Sequence, residues 1–288
     1  VFASIWGVYN LLPQELRKNV IGVIVNKFRG DLTLFDEGIR IIEEDFKIPV
    51  LGVLPYLPFN LGFEDSASLK NFVQQPRNKK LDIAVIAYPY MSNYNDFEPL
   101  IADDEVFVEF VSSNISLEKF DLVILPGSKL VIKDLIWLKQ MGLFEQIKNY
   151  KKDICAICGG YEMMFESLND IYALENEQAL KEEGFGFIPD IITFEKEKIL
   201  EKKSYDLFGT KIDGFEIHHG MCQKYPLSFE KENFKGTFVH QIFDNNEFRT
   251  NYFKSIKTDY IGFDFQEYKK QTVDNFISTL KEKLDINY

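Results

Sequence analysis

Cysteine is scarce in this sequence. Three residues among 288 cannot all pair with one another and are too few to staple a chain of this length, so reduced thiols are expected instead of a disulfide scaffold. Positive charge is short as well: 33 Lys and Arg against 45 Asp and Glu leave a net charge of -12, a field that repels polyanions and argues against a nucleic-acid partner. No run of about 18 apolar residues occurs, and the opening VFASIWGVYNLLPQELRKN lacks the basic flank and small-residue cleavage site of a signal peptide. No membrane association is expected, and a cytoplasmic location is. The sequence opens on Val1, not methionine, and does so inside an amphipathic pattern, as a piece of a longer protein would. It has no Gly-x-x-x-x-Gly-Lys-Ser or Thr loop, the element that cradles nucleotide phosphates.

What is present reads as alternating α/β. Val20–Val25 is a β-branched run suited to a strand buried on both faces; LFDEGIRIIEEDFK follows at helical spacing and IPVLGVLPYLP gives a second strand. After a polar, basic stretch with Pro76, a boundary is expected near residue 78. A second series then begins: strands at LDIAVIAYPY, EVFVEFV, KFDLVILPGSK and DICAIC, a helix at DLIWLKQMGLFEQIKNYKK, and a turn and helix at GGYEMMFESLND. Beyond residue 185 the segments shorten and are rich in β-branched and aromatic residues, as antiparallel strands added to the sheet would be. Residues 1–78, 79–250 and a helical tail 251–288 are the expected divisions.

The chemistry concentrates in DICAICGGYEMMF, residues 153–165. A strand ending in a small nucleophile, followed at once by glycines and a helix, is the arrangement of a nucleophile elbow, and Cys158 occupies that position. Cys155, inside the strand, reads as a small buried hydrophobe. A nucleophilic thiol needs a base, and all three histidines, His218, His219 and His240, fall in one 23-residue window. One strand earlier, Pro126-Gly127-Ser128 forms a turn whose N–H groups, with the N–H after Cys158, suit an oxyanion hole. Zinc is the rival reading, since Cys155, Cys158, His219 and Cys222 make a Cys-x-x-Cys and His-x-x-Cys set; against it, zinc knuckles are loops and this pair lies in a strand. A zinc-stabilised, non-catalytic binding module therefore stays open at this point, although no metal is expected.

CGGYEMM, preceded by LPGSK and followed by GFEIHHG and GTFVHQIFDNNEFR, resembles the class I glutamine amidotransferase domain of the cobyric acid synthase family. GVIVNKFRGDLTLFDEG and PVLGVLPYL with FEDS are similar to the second half of that family's ATP-dependent synthetase domain, and AVIAYPYMSNYNDFEPL to its linker into the glutaminase. The resemblance implies an α/β fold: part of a P-loop-type synthetase domain, then a class I glutamine amidotransferase mixed sheet flanked by helices. It implies glutamine-dependent amidation of corrinoid carboxylates in cobalamin biosynthesis, with ATP and Mg2+ serving the full-length enzyme and this chain supplying the glutaminase half. Glutamine and a corrinoid acceptor are the implied partners. Cys158 would be the nucleophile and His240 the general base and acid. Gly127, Ser128, Gly159, Gly160 and Tyr161 would shape the oxyanion hole and glutamine site, and His218 and Glu216 would support it. Asn26 and Lys27, with Glu64 and Asp65, would face the nucleotide or acceptor. A related glutaminase with another acceptor, of the cobyrinate a,c-diamide synthase or cell-wall isoglutaminyl amidase kind, is the alternative.

Two departures stand out. Many class I amidotransferases place a glutamate two residues after the histidine to orient it, whereas Ile242 stands here, leaving the imidazole without an identified orienting partner. Gln241 also replaces the usual glycine after His240.

Overall fold

The computed structural model describes residues 1–56 and 79–284, which divide into two compact units: one of 1–56 with 267–284, and one of 79–266. The boundary expected near residue 78 lies outside the described residues. No helix among the described residues is long and apolar enough to cross a membrane.

The first unit opens with α1 (Phe2–Leu11), which buries none of its residues. β1 (Val23–Phe28) then pairs in parallel with β2 (Val50–Pro55), but only Val25 of β1 is buried and Ile24 is exposed, so the strand is not covered on both faces as expected. The crossover is a 3-10 turn at Leu32–Phe35, α2 (Asp36–Arg40) and a π-turn at Ile41–Asp45. Asp31 starts it by accepting the Thr33 N–H at 2.9 Å. Val25, Phe35, Ile42 and Ile48 form its small core.

The second unit rests on a six-stranded sheet. β3 (Leu81–Ile86), the two-residue β4 (Met91–Ser92), β5 (Val106–Val111), β6 (Leu122–Leu125), the two-residue β7 (Gly127–Ser128) and β8 (Asp153–Ile157) follow in order. β8, β6, β3 and β5 lie side by side in parallel, and β6 is buried throughout, as the continuous apolar runs predict. The single helix read from DLIWLKQMGLFEQIKNYKK is two, α3 (Val131–Gln140) and α4 (Leu143–Lys148). They break at Gly142, whose φ of +72 is a left-handed position that glycine takes without steric cost.

After α5 (Gly159–Met163) the structure departs from the sequence expectation. The helix read through GGYEMMFESLND stops, and β9 (Phe165–Asp170) follows at once. The carbonyls of Met163, Met164 and Phe165 are taken by the N–H groups of Phe185, Ile188 and Gly186, so they are not free to continue a helix. β10 (Leu180–Glu183), β11 (Ile188–Leu207) and β12 (Thr210–Met221) lead to a hairpin of β13 (Ser228–Lys231) and β14 (Phe234–Thr237), then the two-residue β15 (Val239–His240). β14 pairs in parallel with β8, and β13 lies outside it at the edge of the main sheet. Of the segments expected to extend that sheet, β13 and β14 do so, whereas β11, β12 and β15 join β9 and β10 in a separate five-stranded sheet, in the order β10-β9-β11-β12-β15. α6 (Asn246–Ile256) runs through residue 250, and the fully buried Arg249 fastens it by donating to the carbonyls of Phe243 and Phe263.

Candidate functional site

Cys158 links β8 to α5 with φ 49 and ψ -110, a conformation that costs a side-chain-bearing residue about 1–3 kcal/mol and survives only where its surroundings enforce it. Its N–H donates to Thr237 O at 2.8 Å on the neighbouring β14, and the Gly160 N–H donates to Pro126 O at 2.9 Å. Both glycines are needed for close approach. A Cβ on Gly159 would stand 2.7 Å from Ser128 N, and one on Gly160 would run into the Leu125 carbonyl. The turn after the thiol is thus pressed against the Pro-Gly-Ser turn, as the motif order implied. Cys155 lies within β8 between Ile124 and Lys235, fully buried, and burial pushes its thiol up to about 12.

His240 ends β15, held to Phe215 on β12 by strand pairing and by ring stacking at 5.0 Å. The Cys158 thiol donates to Ile217 O at 3.6 Å on β12. His240 Nδ1 lies 2.6 Å from Asp96 Oδ2, with both side chains buried. Asp96 Oδ1 accepts the Gln241 N–H at 2.8 Å, so a single carboxylate fixes both the imidazole and the turn that follows it. Burial alone would push the His240 pKa down, but the charges of Asp96 and Cys158 outweigh it and hold the ring up at about 10. Asn93 Nδ2 stands 2.8 Å from Nε2, on the side where a proton would be exchanged with the thiol.

Sequence reasoning missed Asp96 and Asn93. Asp96 is 144 positions from its partner and sits on a short 3-10 turn, Tyr94–Phe97. That turn reaches the site because β4 pairs with β7 and the Tyr88 hydroxyl donates to Pro126 O, pinning the strand's exit to the Pro-Gly-Ser turn. Asn93 then reverses the chain with φ 53, a left-handed conformation that Asn tolerates better than most residues. The available signal was SNYNDF itself, a polar turn with an Asn and an Asp directly after a buried strand.

Cys158 and Asn93 open onto a cleft of about 310 Å³ also lined by Ser128, Glu162 and His218, with His240 and Asp96 buried outside its lining. Ser128 Oγ donates to Asp134 Oδ2 at 2.6 Å and accepts from Leu130 N, ordering the turn. Gly127 must also be bare, for a Cβ there would stand 3.0 Å from His240 Cε1. His218 stacks on Phe238 at 3.8 Å and bridges Gly220 O and Glu216 Oε2, so Glu216 reaches the site through His218. His219 is half-buried against Glu195 O and also lines the cleft. Tyr161 does not open onto the cleft. It packs between Phe165 and Phe238, with its hydroxyl donating to Tyr225 O. Asn26 and Lys27 are exposed on β1 of the first unit, the Asn side chain accepting from the next N–H. Glu64 and Asp65 lie outside the described residues. Among the described residues no three His, Cys, Asp or Glu side chains are gathered as a metal site, and Cys155 is enclosed in the sheet away from such a role.

Comparison with known proteins places residues 82–248 in a CobB/CobQ-like glutamine amidotransferase domain family. A cobyric acid synthase of Acinetobacter baylyi is 66% identical over 286 residues, which is 99% of this chain and 62% of that protein. A cobyric acid synthase of Clostridium tetani is 35% identical, over 100% of this chain and 64% of that one. The chain therefore spans somewhat under two thirds of the length of the curated relatives it matches. A solved structure described as a glutamine amidotransferase aligns at 12% identity with a TM-score of 0.45, covering 60% of this chain and 97% of that one.

Proposed function

The chain belongs to the CobB/CobQ-like glutamine amidotransferase family, and from that premise we propose that its cleft hydrolyses glutamine to supply ammonia. With His240 held up at about 10, the Cys158 proton already resides on the imidazole, and the sulfur attacks the side-chain amide carbon of glutamine as a thiolate. His240 returns that proton to the departing nitrogen, which leaves as ammonia, and water then releases glutamate from the glutamyl thioester. The Gly159 N–H, next after the nucleophile, and the turn at Gly127 stabilise the oxyanion. Gly160 gives its N–H to Pro126 and packs the turn instead. Asp96 accepts the Nδ1 hydrogen, so the proton to be given to the leaving nitrogen is the one on Nε2. The observation that carries this reading is the buried 2.6 Å pairing of His240 with Asp96, with the charge of Cys158 next in raising the imidazole.

The acceptor follows from the relatives. We assign the ammonia to amidation of corrinoid carboxylates, converting adenosylcobyrinic acid a,c-diamide to adenosylcobyric acid, with residues 1–78 belonging to a synthetase domain, 79–250 to the glutaminase and 251–288 to a tail. ATP and Mg2+ activate the acceptor in such a scheme. This sequence has no phosphate-binding loop, and Asn26 and Lys27 offer no cradle for one, so no step through ATP is assigned to its residues.

Glutamate release measures the first half. Cys158→Ala abolishes it and Cys155→Ala retains most of it; equal loss in both would refute the nucleophile assignment. For the second half, this segment replaces the matching part of a complete cobyric acid synthase. Formation of adenosylcobyric acid with glutamine supports the assignment, and turnover only with a different acceptor overturns it.

A further inference from the structure

The turn assigned to the oxyanion is tied down by a carboxylate outside the cleft. Asp134, on the first turn of α3, has none of its surface exposed and touches neither the thiol nor the cleft lining. Its Oδ2 accepts the Ser128 hydroxyl at 2.6 Å and its Oδ1 accepts the Tyr90 N–H at 3.1 Å. Those partners belong to the two sides of the β4–β7 ladder, in which Met91 stands opposite Ser128 and Ser92 opposite Gly127. Tyr90 closes the same end again, its carbonyl accepting the Lys129 N–H at 2.9 Å. One side of the ladder carries Gly127 and Ser128 to the elbow, where a Cβ on Gly159 would stand 2.7 Å from Ser128 N. The other runs on into Asn93 and Asp96, which reach His240.

A ladder of two residues is weak by itself, so what clamps its end decides where both turns point. An ionised carboxylate only accepts, and both donors must therefore face it. That commits the Ser128 hydroxyl hydrogen to Asp134 and leaves the oxygen to accept the Leu130 N–H at 3.1 Å, which gives Ser128 one orientation. Burying a charge in this way is costly: burial raises Asp134 to about 6, and the hydrogen bonds of Ser128 and Tyr90 hold it down. Tyr88 and Glu175 feel its charge, and the Lys133 amine lies over the Tyr90 ring at 5.9 Å. Glu175, raised to about 7 chiefly by burial, accepts the Ile132 N–H at the start of the same helix and is the group to be told apart from it. We propose that Asp134 is a positioning residue of the glutaminase: ionised, it clamps the ladder and keeps the Gly127–Ser128 backbone where an oxyanion at Cys158 needs its donors. A proton on either oxygen leaves the Ser128 hydroxyl or the Tyr90 N–H without an acceptor, and the clamp loosens. This rests on the glutaminase reading and adds to it the group that holds the oxyanion turn in place.

Asp134→Asn keeps the volume and removes one acceptor. Glutamate release should fall roughly 10- to 100-fold in kcat with KM for glutamine nearly unchanged, because the oxyanion exists only after attack and a displacement of about 1 Å suffices for such a loss. Iodoacetamide, whose displacement by sulfur forms no oxyanion, should alkylate Cys158 at the wild-type rate, followed by the mass of the Cys158 peptide. The wild-type kcat should decline below about pH 6, and that limb should be absent from Asp134→Asn. Ser128→Ala cuts the clamp from its other end, so adding Asp134→Asn to it should lower kcat by less than about threefold more. Alkylation slowed as much as hydrolysis is general loss of the site and overturns the inference. A fully active Asp134→Asn protein does so too, as does an acid limb that survives Asp134→Asn and disappears in Glu175→Gln. If Asp134→Asn does not fold, Ser128→Ala decides by the same split between hydrolysis and alkylation. Absence of glutamate release by the wild-type chain sinks the glutaminase reading itself, whereas wild-type release with any of these adverse results sinks this inference alone.

Discussion

Replacing Asp96 with Asn tests the site most directly, because it changes one charge and almost no volume. Asp96 Oδ2 and His240 Nδ1 are 2.6 Å apart, with side chains 1% and 0% exposed. At an effective dielectric of about 20, unit charges at that separation attract by roughly 6 kcal/mol, and the cost of desolvating both takes much of that back. A net contribution of about 1.5–3 kcal/mol, that of a hydrogen bond to a charged group, is the conservative figure. The proton positions make the kinetic effect larger. An Asn side chain keeps its oxygen for the Gln241 N–H and so turns an N–H toward Nδ1, which forces the ring's hydrogen onto Nε2. That nitrogen can then no longer hold the thiol's proton in addition.

The expected result is a fall in kcat of about 10²- to 10⁴-fold, with KM for glutamine changed little, since the tautomer governs proton transfer and not substrate contact. The assay is glutamate release across pH, with circular dichroism to show that the fold is retained. The alkaline limb of the profile, set by His240 losing its proton near about 10, should move down by about 1–3 pH units when the carboxylate's charge is removed. A folded Asp96→Asn protein that keeps more than a third of the kcat and an unmoved profile would show that Asp96 only braces the turn.

Two further outcomes concern stability. The folded protein holds the His240 proton more tightly than the unfolded chain, at about 10 against 6.5. That contribution is whole below 6.5 and is lost as pH rises to 10, so the melting temperature should fall across this window, and fall less in Asp96→Asn. Gly160→Ala places a Cβ against the Leu125 carbonyl, where only backbone can yield. A loss of about 1–3 kcal/mol or more is expected, read as a melting point lowered by roughly 2–4 °C for each kcal/mol; an unchanged melt would mean the turn is not closely packed.

The sequence carried the central strands and the elbow because their signals are local. β6 is an uninterrupted apolar run, β5 and β8 are broken only by Glu109 and Asp153, and Cys158 is marked by the strand before it and the glycines after it. Where a choice depended on distant partners, the local pattern misled. FESLND has enough apolar residues for a helix, yet the carbonyls entering it are claimed by residues 185–188, and it pairs as a strand with β10 and β11. Asp96 lay in a stretch that resembles a linker; no periodicity marks a turn whose role is set by a two-residue ladder and one left-handed Asn.

The two departures around His240 have one structural cause. Gln241, standing where a glycine is usual, has φ 63 and keeps the left-handed turn that the glycine would have served. That turn carries the next side chain, Ile242, into the core with none of its surface exposed. A carboxylate at position 242 would follow the same path and be buried among apolar groups at a high cost. The orienting charge must then come from another element, and Asp96 supplies it from the far side of the ring. Its second oxygen binds the Gln241 N–H, and Asn245 Nδ2 donates to the Gln241 carbonyl at 2.9 Å. The carboxylate that replaces the missing partner thus also stabilises the backbone conformation that excludes one from its usual place. Restoring only one feature, by Ile242→Glu in a chain that retains Asp96, should therefore destabilise the protein without improving its glutaminase activity.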